Sequence, residues 1–318
     1  MADPGRRFHQ SDATPTQPAG ELRLTRRAGR GVCVPECSRA SLIRWIDYPE
    51  LPLRTHVRET LKCGRSSLVV RADVPIGEGV VRIAYKRYSR RNLWKVVTGT
   101  FKASRANRAW RLGHLLREMG IATPRPLVAV TPRSLSRWVD SYLATEFVEG
   151  FPLHELAERV SSLPRPARIR AVARVVESVG GLVGRLHAAG FRHRDLKPGN
   201  ILIAGDLASA ATSDAPRGYP VAGGPSSPET AAAVLIDLDG VSRRPGLSRS
   251  LRLRDLSRLC VGVDPELRRR PSSGVRFVRA YLAACGDSDW PWRDCYRQLA
   301  AATANRERQR RRRQRRAA

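Results

Sequence analysis

The segment HRDLKPGNILI, His193 to Ile203, constrains the fold of this chain more than any other. A second segment, VLIDLDG, Val234 to Gly240, gives it meaning. Each joins polar side chains to a short apolar run, Ile201–Ile203 in the first and Val234–Ile236 in the second. Apolar runs of that length between polar residues predict short buried strands. Such strands hold the polar groups beside them in fixed positions. The polar set is Asp195, Lys197 and Asn200, joined by Asp237. Transfer of a phosphoryl group from ATP needs a carboxylate beside the attacking hydroxyl, a cation near the transferred group, and oxygen ligands for magnesium. Asp195, Lys197 and the Asn200–Asp237 pair meet those needs in turn. A chance polar loop between two core strands is not expected to carry the whole set.

With these residues in view, the chain resembles the protein-kinase-like superfamily, and within it the bacterial lipopolysaccharide core kinases that phosphorylate Kdo or heptose sugars. Three further segments carry the likeness: IAYKRY (Ile83–Tyr88), RAWRLGHLLREMGIATPRPL (Arg108–Leu127) and RLRDLSRL (Arg252–Leu259). The resemblance covers roughly residues 55 to 300. It implies an α+β, two-lobed protein-kinase-like fold with a reduced C-terminal lobe. It implies Asp195 and Lys197 as catalytic residues, Asn200 and Asp237 as magnesium ligands, and Asp239 as a further carboxylate at the metals or a turn aspartate. Lys86 takes the place of the lysine that grips the ATP phosphates. Gly64, Ser66 and Ser67, in a turn with one glycine rather than three, stand where a phosphate-covering loop belongs. Glu146 and Val148 flank the hinge expected to meet adenine, and Glu149 is within reach of the ribose. ATP and Mg2+ are the implied cofactors, and an anionic glycolipid is the implied acceptor in lipopolysaccharide biosynthesis. The catalytic loop itself is closer to that of Ser/Thr protein kinases, so a protein substrate is the alternative. A basic, non-catalytic pseudokinase scaffold is a third reading.

The helix expected near residues 103–119 sharpens that third reading. In active protein kinases this helix supplies a glutamate to the strand lysine. Here its one acid is Glu118, near its C-terminal end. Either Glu118 or another carboxylate pairs with Lys86, or Lys86 works unpaired. Downstream of Gly240 no Ala-Pro-Glu sequence follows, so the platform that holds a peptide is not expected.

Composition bounds the partners. The 318 residues include 58 Lys and Arg against 29 Asp and Glu, a net charge of +29. Eight arginines and one glutamate fall in Arg306–Arg316, and the body stays basic without them. Such a balance implies an anionic partner: a phosphorylated glycolipid, an anionic membrane surface or, least favoured, nucleic acid. No apolar run approaches the ~20 residues of a membrane helix, and the first residues lack the apolar core of a signal peptide. A cytoplasmic protein is expected, peripheral at the cytoplasmic face of the inner membrane. The six cysteines form no CxxC pair and read as free thiols. The organisation expected is a disordered basic leader at 1–38, a small lobe at 39–147, a large lobe at 148–304 with a disordered insertion at 205–230, and an Arg-rich tail at 305–318.

Overall fold

A computed structural model of the chain describes residues 20–77, 79–89, 103–133, 139–207 and 231–317. The small lobe is built on an antiparallel sheet of seven strands: β1 (Leu22–Thr25), β2 (Gly29–Cys33), β3 (Val57–Gly64), β4 (Ser67–Ile76), β5 (Gly79–Ser89), β6 (Pro126–Pro132) and β7 (Val139–Glu146). Their spatial order is β1-β2-β6-β7-β5-β4-β3. Alternation decides which face is covered. Along β4, Val70, Ala72, Val74 and Ile76 are buried at every second position. Leu42, Trp45 and Ile46 of α1 (Arg39–Asp47) and Ala106, Ala109 and Trp110 of α3 (Arg105–Glu118) join the same core. Ser38 and Ser104 cap these two helices, each hydroxyl accepting from the backbone N–H three residues on. A short α2 (Leu51–Arg54) leads into β3.

Residues 20–38 depart from the expected disordered leader. β1 and β2 lie within it, and β2 pairs with β6 from Gly29↔Pro132 to Cys33↔Val128. The Arg- and Gly-rich composition of this stretch conceals Val32, Cys33, Val34 and Cys37, all of which are buried. The rest of the leader, residues 1–19, lies outside the described residues.

The large lobe opens with β8 (Gly150–Pro152), a helical turn at Leu153–Glu155 and α4 (Leu156–Arg159). It continues through α5 (Arg165–Ala188), β9 (Phe191–His193), β10 (Ile201–Ala204), β11 (Ala232–Leu235) and β12 (Val241–Arg243). It closes with α6 (Arg249–Gly262), α7 (Pro265–Arg269), α8 (Pro271–Cys285) and α9 (Trp292–Ala317). The two strands predicted beside the polar motifs are β10 and β11, paired from Ile201↔Leu235 to Ala204↔Ala232. The expected insertion at 205–230 falls, from residue 208 onward, outside the described residues. α5 buries Val172, Val175, Val179, Leu182, Val183 and Leu186, which is the helical stripe of its sequence. Gly180 and Gly184 let α8 approach closely: a Cβ on either would stand 2.6 Å from the Phe277 carbonyl oxygen and 2.5 Å from that of Tyr281. The Arg-rich tail is a continuation of α9, which buries Cys295, Leu299 and Thr303 against the lobe. Among the described residues, no helix is long and apolar enough to cross a membrane.

Candidate active site

Between the lobes lies a cleft of about 660 Å³, lined from above by Lys62, Val69, Ala84 and Lys86 and from below by Asn200, Leu202 and Asp237. Glu146, Phe147 and Val148 line its back. The backbone N–H groups of Glu146 and Phe147 donate to the carbonyls of Arg125 and Arg82. Glu149, the residue expected near a ribose, pairs instead with Arg82.

Asp237 is the most constrained residue in the cleft. At φ 60° it is the non-glycine residue of positive φ among the described residues. A left-handed aspartate is strained, and strain of this kind persists where neighbours fix the side chain. Here Lys86 Nζ donates to Oδ1 at 2.7 Å, and Lys62 Nζ stands 4.0 Å from Oδ2. Burial pushes the Asp237 carboxyl up, but Lys86 and then Lys62 override it, and the net pKa lies below the ordinary value. The group is therefore a carboxylate at neutral pH. A register shift in β3 between Thr60 and Lys62 is the kind of bulge that re-aims a side chain.

Lys86 has no carboxylate from α3. Its acidic neighbours are Asp237 and, at 3.8 Å, Asp239. Of the options open in the sequence, the structure brings "another carboxylate" to the lysine rather than Glu118. What α3 does supply is Arg105. Its guanidinium pairs with Asp239, donates to the carbonyls of Ser66 and Ser89 at 3.3 Å each, and lies 4.5 Å from the centre of the Tyr88 ring. Lys86 lies over the same ring at 4.6 Å.

Asp195 and Lys197 are not among the residues that line the cleft; they lie on the loop that leads to Asn200, both more than half exposed, with Lys197 Nζ 2.7 Å from Asp195 Oδ2. Asn200 is buried and donates from Nδ2 to the Asp195 carbonyl at 2.8 Å. That leaves its Oδ1 as an acceptor. Its backbone carbonyl receives the Ile236 N–H at 2.9 Å, which ties the residue before Asp237 to the catalytic loop. The Asp195 N–H donates to Nδ1 of His193 at 3.2 Å. His193 is fully buried, and burial holds its pKa below the ordinary value, so it accepts as a neutral ring. It braces the loop. Gly240 packs against that ring so tightly that a Cβ would stand 2.7 Å from Nδ1.

Beneath the loop, Asp255 of α6 is wholly buried and fully engaged. It accepts from Arg192 Nη2 at 2.7 Å and Nε at 3.3 Å, from Arg258 Nη1 at 2.9 Å, and from the His193 backbone N–H at 3.1 Å. A buried carboxylate is tolerated when partners meet its oxygens this completely. No motif in the sequence marks a role for Asp255 or Arg105. The available signal for Asp255 was a lone acid in an Arg- and Leu-rich helix with Arg258 at i+3.

One set of expected residues is displaced. Gly64, Ser66 and Ser67 form the β3–β4 turn but do not line the cleft; Thr60, Leu61 and Lys62 do. Ser67 is buried, paired in register with Tyr88. The Ser66 carbonyl is occupied by Arg105 and by the Ser89 N–H.

Of the three residues expected at magnesium, Asn200 and Asp237 line the cleft, and Asp239, outside its lining, is paired with Arg105. Among the described residues, no three His, Cys, Asp or Glu side chains gather as a closed metal cage. Two carboxylates and an amide suit magnesium, which keeps several waters and takes phosphate oxygens rather than filling a protein cage.

Residues 64–281 match the lipopolysaccharide kinase (Kdo/WaaP) family. The chain belongs to that family. The Kdo/WaaP match begins at the β3–β4 turn and ends in α8, so it takes in every residue of the cleft named above except Thr60, Leu61 and Lys62. A solved structure of WaaP in complex with acyl carrier protein shares the fold: TM-score 0.51 and 21% identity, over 82% of this chain and 90% of that one. A BubR1 kinase domain superposes at TM-score 0.38 with 14% identity, over 72% of this chain and 52% of that one. Locally, the chain is 41% identical over 63 residues to the serine/threonine-protein kinase PknA of Mycobacterium tuberculosis (strain ATCC 25177 / H37Ra) and of Mycobacterium bovis (strain ATCC BAA-935 / AF2122/97). That stretch is 20% of this chain and 14% of the length of those relatives.

Proposed function

We propose that this kinase-family chain transfers the γ-phosphoryl group of ATP to a sugar hydroxyl of lipopolysaccharide core or a similar anionic glycolipid. The observation that carries the reading is the frame joining Asp195 to Asp237. Asn200 donates to the Asp195 backbone carbonyl and its own carbonyl accepts from the Ile236 N–H, so one residue ties the backbone at Asp195 to the backbone just before Asp237. ATP would lie with its adenine toward Glu146–Val148 and its phosphates toward Lys86 and Lys62. Asp195 then orients the acceptor hydroxyl and takes its proton, and Lys197 offsets charge on the group in flight. Asn200 Oδ1 and the Asp237 carboxylate, with Asp239 beside them, would hold magnesium. When bound, that ion neutralises charge on the β- and γ-phosphates.

The acceptor class rests on the family and on charge. Arginine forks favour phosphate and carboxylate groups such as those of Kdo and lipid A. Placement at the cytoplasmic face of the inner membrane follows from such an acceptor. A second reading, Ser/Thr protein kinase, is favoured by one observation: the local likeness to PknA, with Lys197-Pro198 in the loop. Labelled ATP offered side by side to purified lipopolysaccharide core and to basic protein substrates separates them. Label in the glycolipid alone supports the proposal. Label in protein alone moves the assignment to the second reading, and no label in either favours a scaffold.

A further inference from the structure

The far half of α9 leaves the body of the lobe as an exposed helix whose residues 308–316 are seven arginines and two glutamines, all exposed. At 100° per residue, Cys295, Leu299, Thr303 and Arg306 mark the side of the helix turned toward the lobe. Arg306 Nε reaches Ser257 Oγ on α6 at 3.3 Å, and Thr303 and Leu299 are buried. Continuing that projection, Arg308, Arg311, Arg312, Arg315 and Arg316 fall on the opposite side, at positions i, i+3, i+4, i+7 and i+8. They form one stripe about 12 Å long. Arg310 and Arg313 fall on the lobe-facing side.

The stripe has three properties that bear on a partner. Among the described residues, no acid pairs with any of its five arginines; Glu307, the nearest along the helix, is held by Arg268 of α7. Like charges three and four apart on a helix repel, so the stripe is held in an unfavourable state until counter-anions meet it. It also carries no apolar side chain, so it suits contact with phosphates rather than insertion among acyl chains.

We infer that the face Arg308–Arg311–Arg312–Arg315–Arg316 of α9 is a docking surface for an anionic lipid membrane. The bias is what decides for a plane: five of the seven exposed arginines share one face and two, Arg310 and Arg313, the other, whereas a groove that encloses a helix favours an even distribution. The root of the stripe lies close to the catalytic loop in packing order. Arg268 donates to the Cys260 carbonyl at the end of α6 and pairs with Glu307, and Gly262 of α6 packs against Pro198, where a Cβ would stand 2.6 Å from Cδ. Packing contacts thus run without a break from the root of the stripe to the loop that carries Asp195. The membrane contact needs no ATP and no acceptor, so it stands or falls apart from the kinase reading.

The test uses the full chain and two variants of equal charge loss, Arg311→Gln/Arg315→Gln on the stripe and Arg310→Gln/Arg313→Gln behind it. Helicity by circular dichroism confirms that both stay folded. Binding is measured by sedimentation with vesicles of phosphatidylglycerol and phosphatidylethanolamine, with phosphatidylcholine vesicles as control, at low and high salt. The native chain should bind the anionic vesicles alone and release at high salt. The stripe variant should bind about tenfold or more weakly, at roughly fivefold per lost charge in contact; the rear variant should lose less than about threefold. Equal losses in the two variants would mean net charge rather than a surface, and overturn the proposal. So would absence of binding by the native chain, or tighter binding to an RNA duplex than to vesicles at the same salt.

Discussion

Arg105, in the first turn of α3, closes on the carboxylate of Asp239. The ion pair that joins this helix to the turn after Asp237 is thus built with the helix as cation and the turn as anion. Arg105 and magnesium would compete for one carboxylate. Arg105→Gln should lower the magnesium needed for half-maximal binding of a non-hydrolysable ATP analogue by about two- to fivefold, the range of a partly exposed ion pair. Turnover should fall, because the same guanidinium holds the Ser66 and Ser89 carbonyls. A magnesium titration identical to that of the native chain would remove Arg105 from this role.

Asp195 and Asp237 should separate on mutation. Asp237→Ala is expected to abolish magnesium-dependent ATP turnover. Asp195→Ala should keep nucleotide affinity while losing about 10²–10⁴-fold in transfer, the usual contribution of a positioned general base. Lys86→Ala should weaken ATP use and leave the left-handed Asp237 without its closest cation. Calorimetric nucleotide binding beside labelled transfer reads both quantities, and native transfer rates in Asp195→Ala would contradict the catalytic assignment.

The crossing of α5 and α8 predicts a stability effect remote from the cleft. Gly184→Val would drive a branched side chain into the Tyr281 carbonyl, already 2.5 Å from a built Cβ. Overpacking of this kind costs about 1–3 kcal/mol, and more where backbone must move. A lowered urea midpoint with unchanged nucleotide affinity per folded molecule is the expected result. A midpoint within error of the native chain would show that the helices separate freely.

Much of this arrangement is legible in the sequence because its carriers are local. Asp195, Lys197 and Asn200 lie within one short loop, Asp237 ends an apolar run, and Lys86 sits on an alternating strand. The six-residue buried stripe of α5 and the glycines at 120 and 190 that close α3 and α5 with positive φ follow from local sequence. What escapes is pairing over distance. Arg105 meets Asp239 across 134 residues, and Arg192 meets Asp255 across 63; neither spacing has a periodicity to betray it. β1 and β2 escape for a different reason. Their strand character comes from pairing with β6, which overrides a local composition rich in glycine and arginine. Gly64, Ser66 and Ser67 mislead because turn chemistry fixes a turn and does not fix where the hairpin register aims it.

His187 gives a pH dependence of defined sign. Burial, reinforced by Arg252 and Arg192, pushes its pKa down to about 3, and its Nδ1 lies 2.9 Å from the Tyr281 hydroxyl. The unfolded ring, with an ordinary value of 6.5, takes up a proton that the folded ring refuses. Its contribution to stability is therefore complete above the unfolded value. It falls as pH drops toward about 3, by at most ~1.4 kcal/mol per pH unit. Urea midpoints between about pH 6.5 and about pH 5, above most carboxylate titration, should decline in the native chain and decline less in His187→Gln. Parallel declines would locate the acid sensitivity in other groups.

The pairing of Ala204 with Ala232 closes the base of the β10–β11 hairpin. Asn200 and Asp237 lie on the near side of that clasp, and residues 208–230 lie beyond it. The distance between Asn200 and Asp237 is therefore set by four rungs of ladder and is indifferent to the number of residues past the fourth. Loop closure adds only about 0.6 kcal/mol for each doubling of length. This hairpin is a natural port: a reporter domain, an affinity handle or a protease site could be spliced in there while the chemistry a few residues away keeps its dimensions.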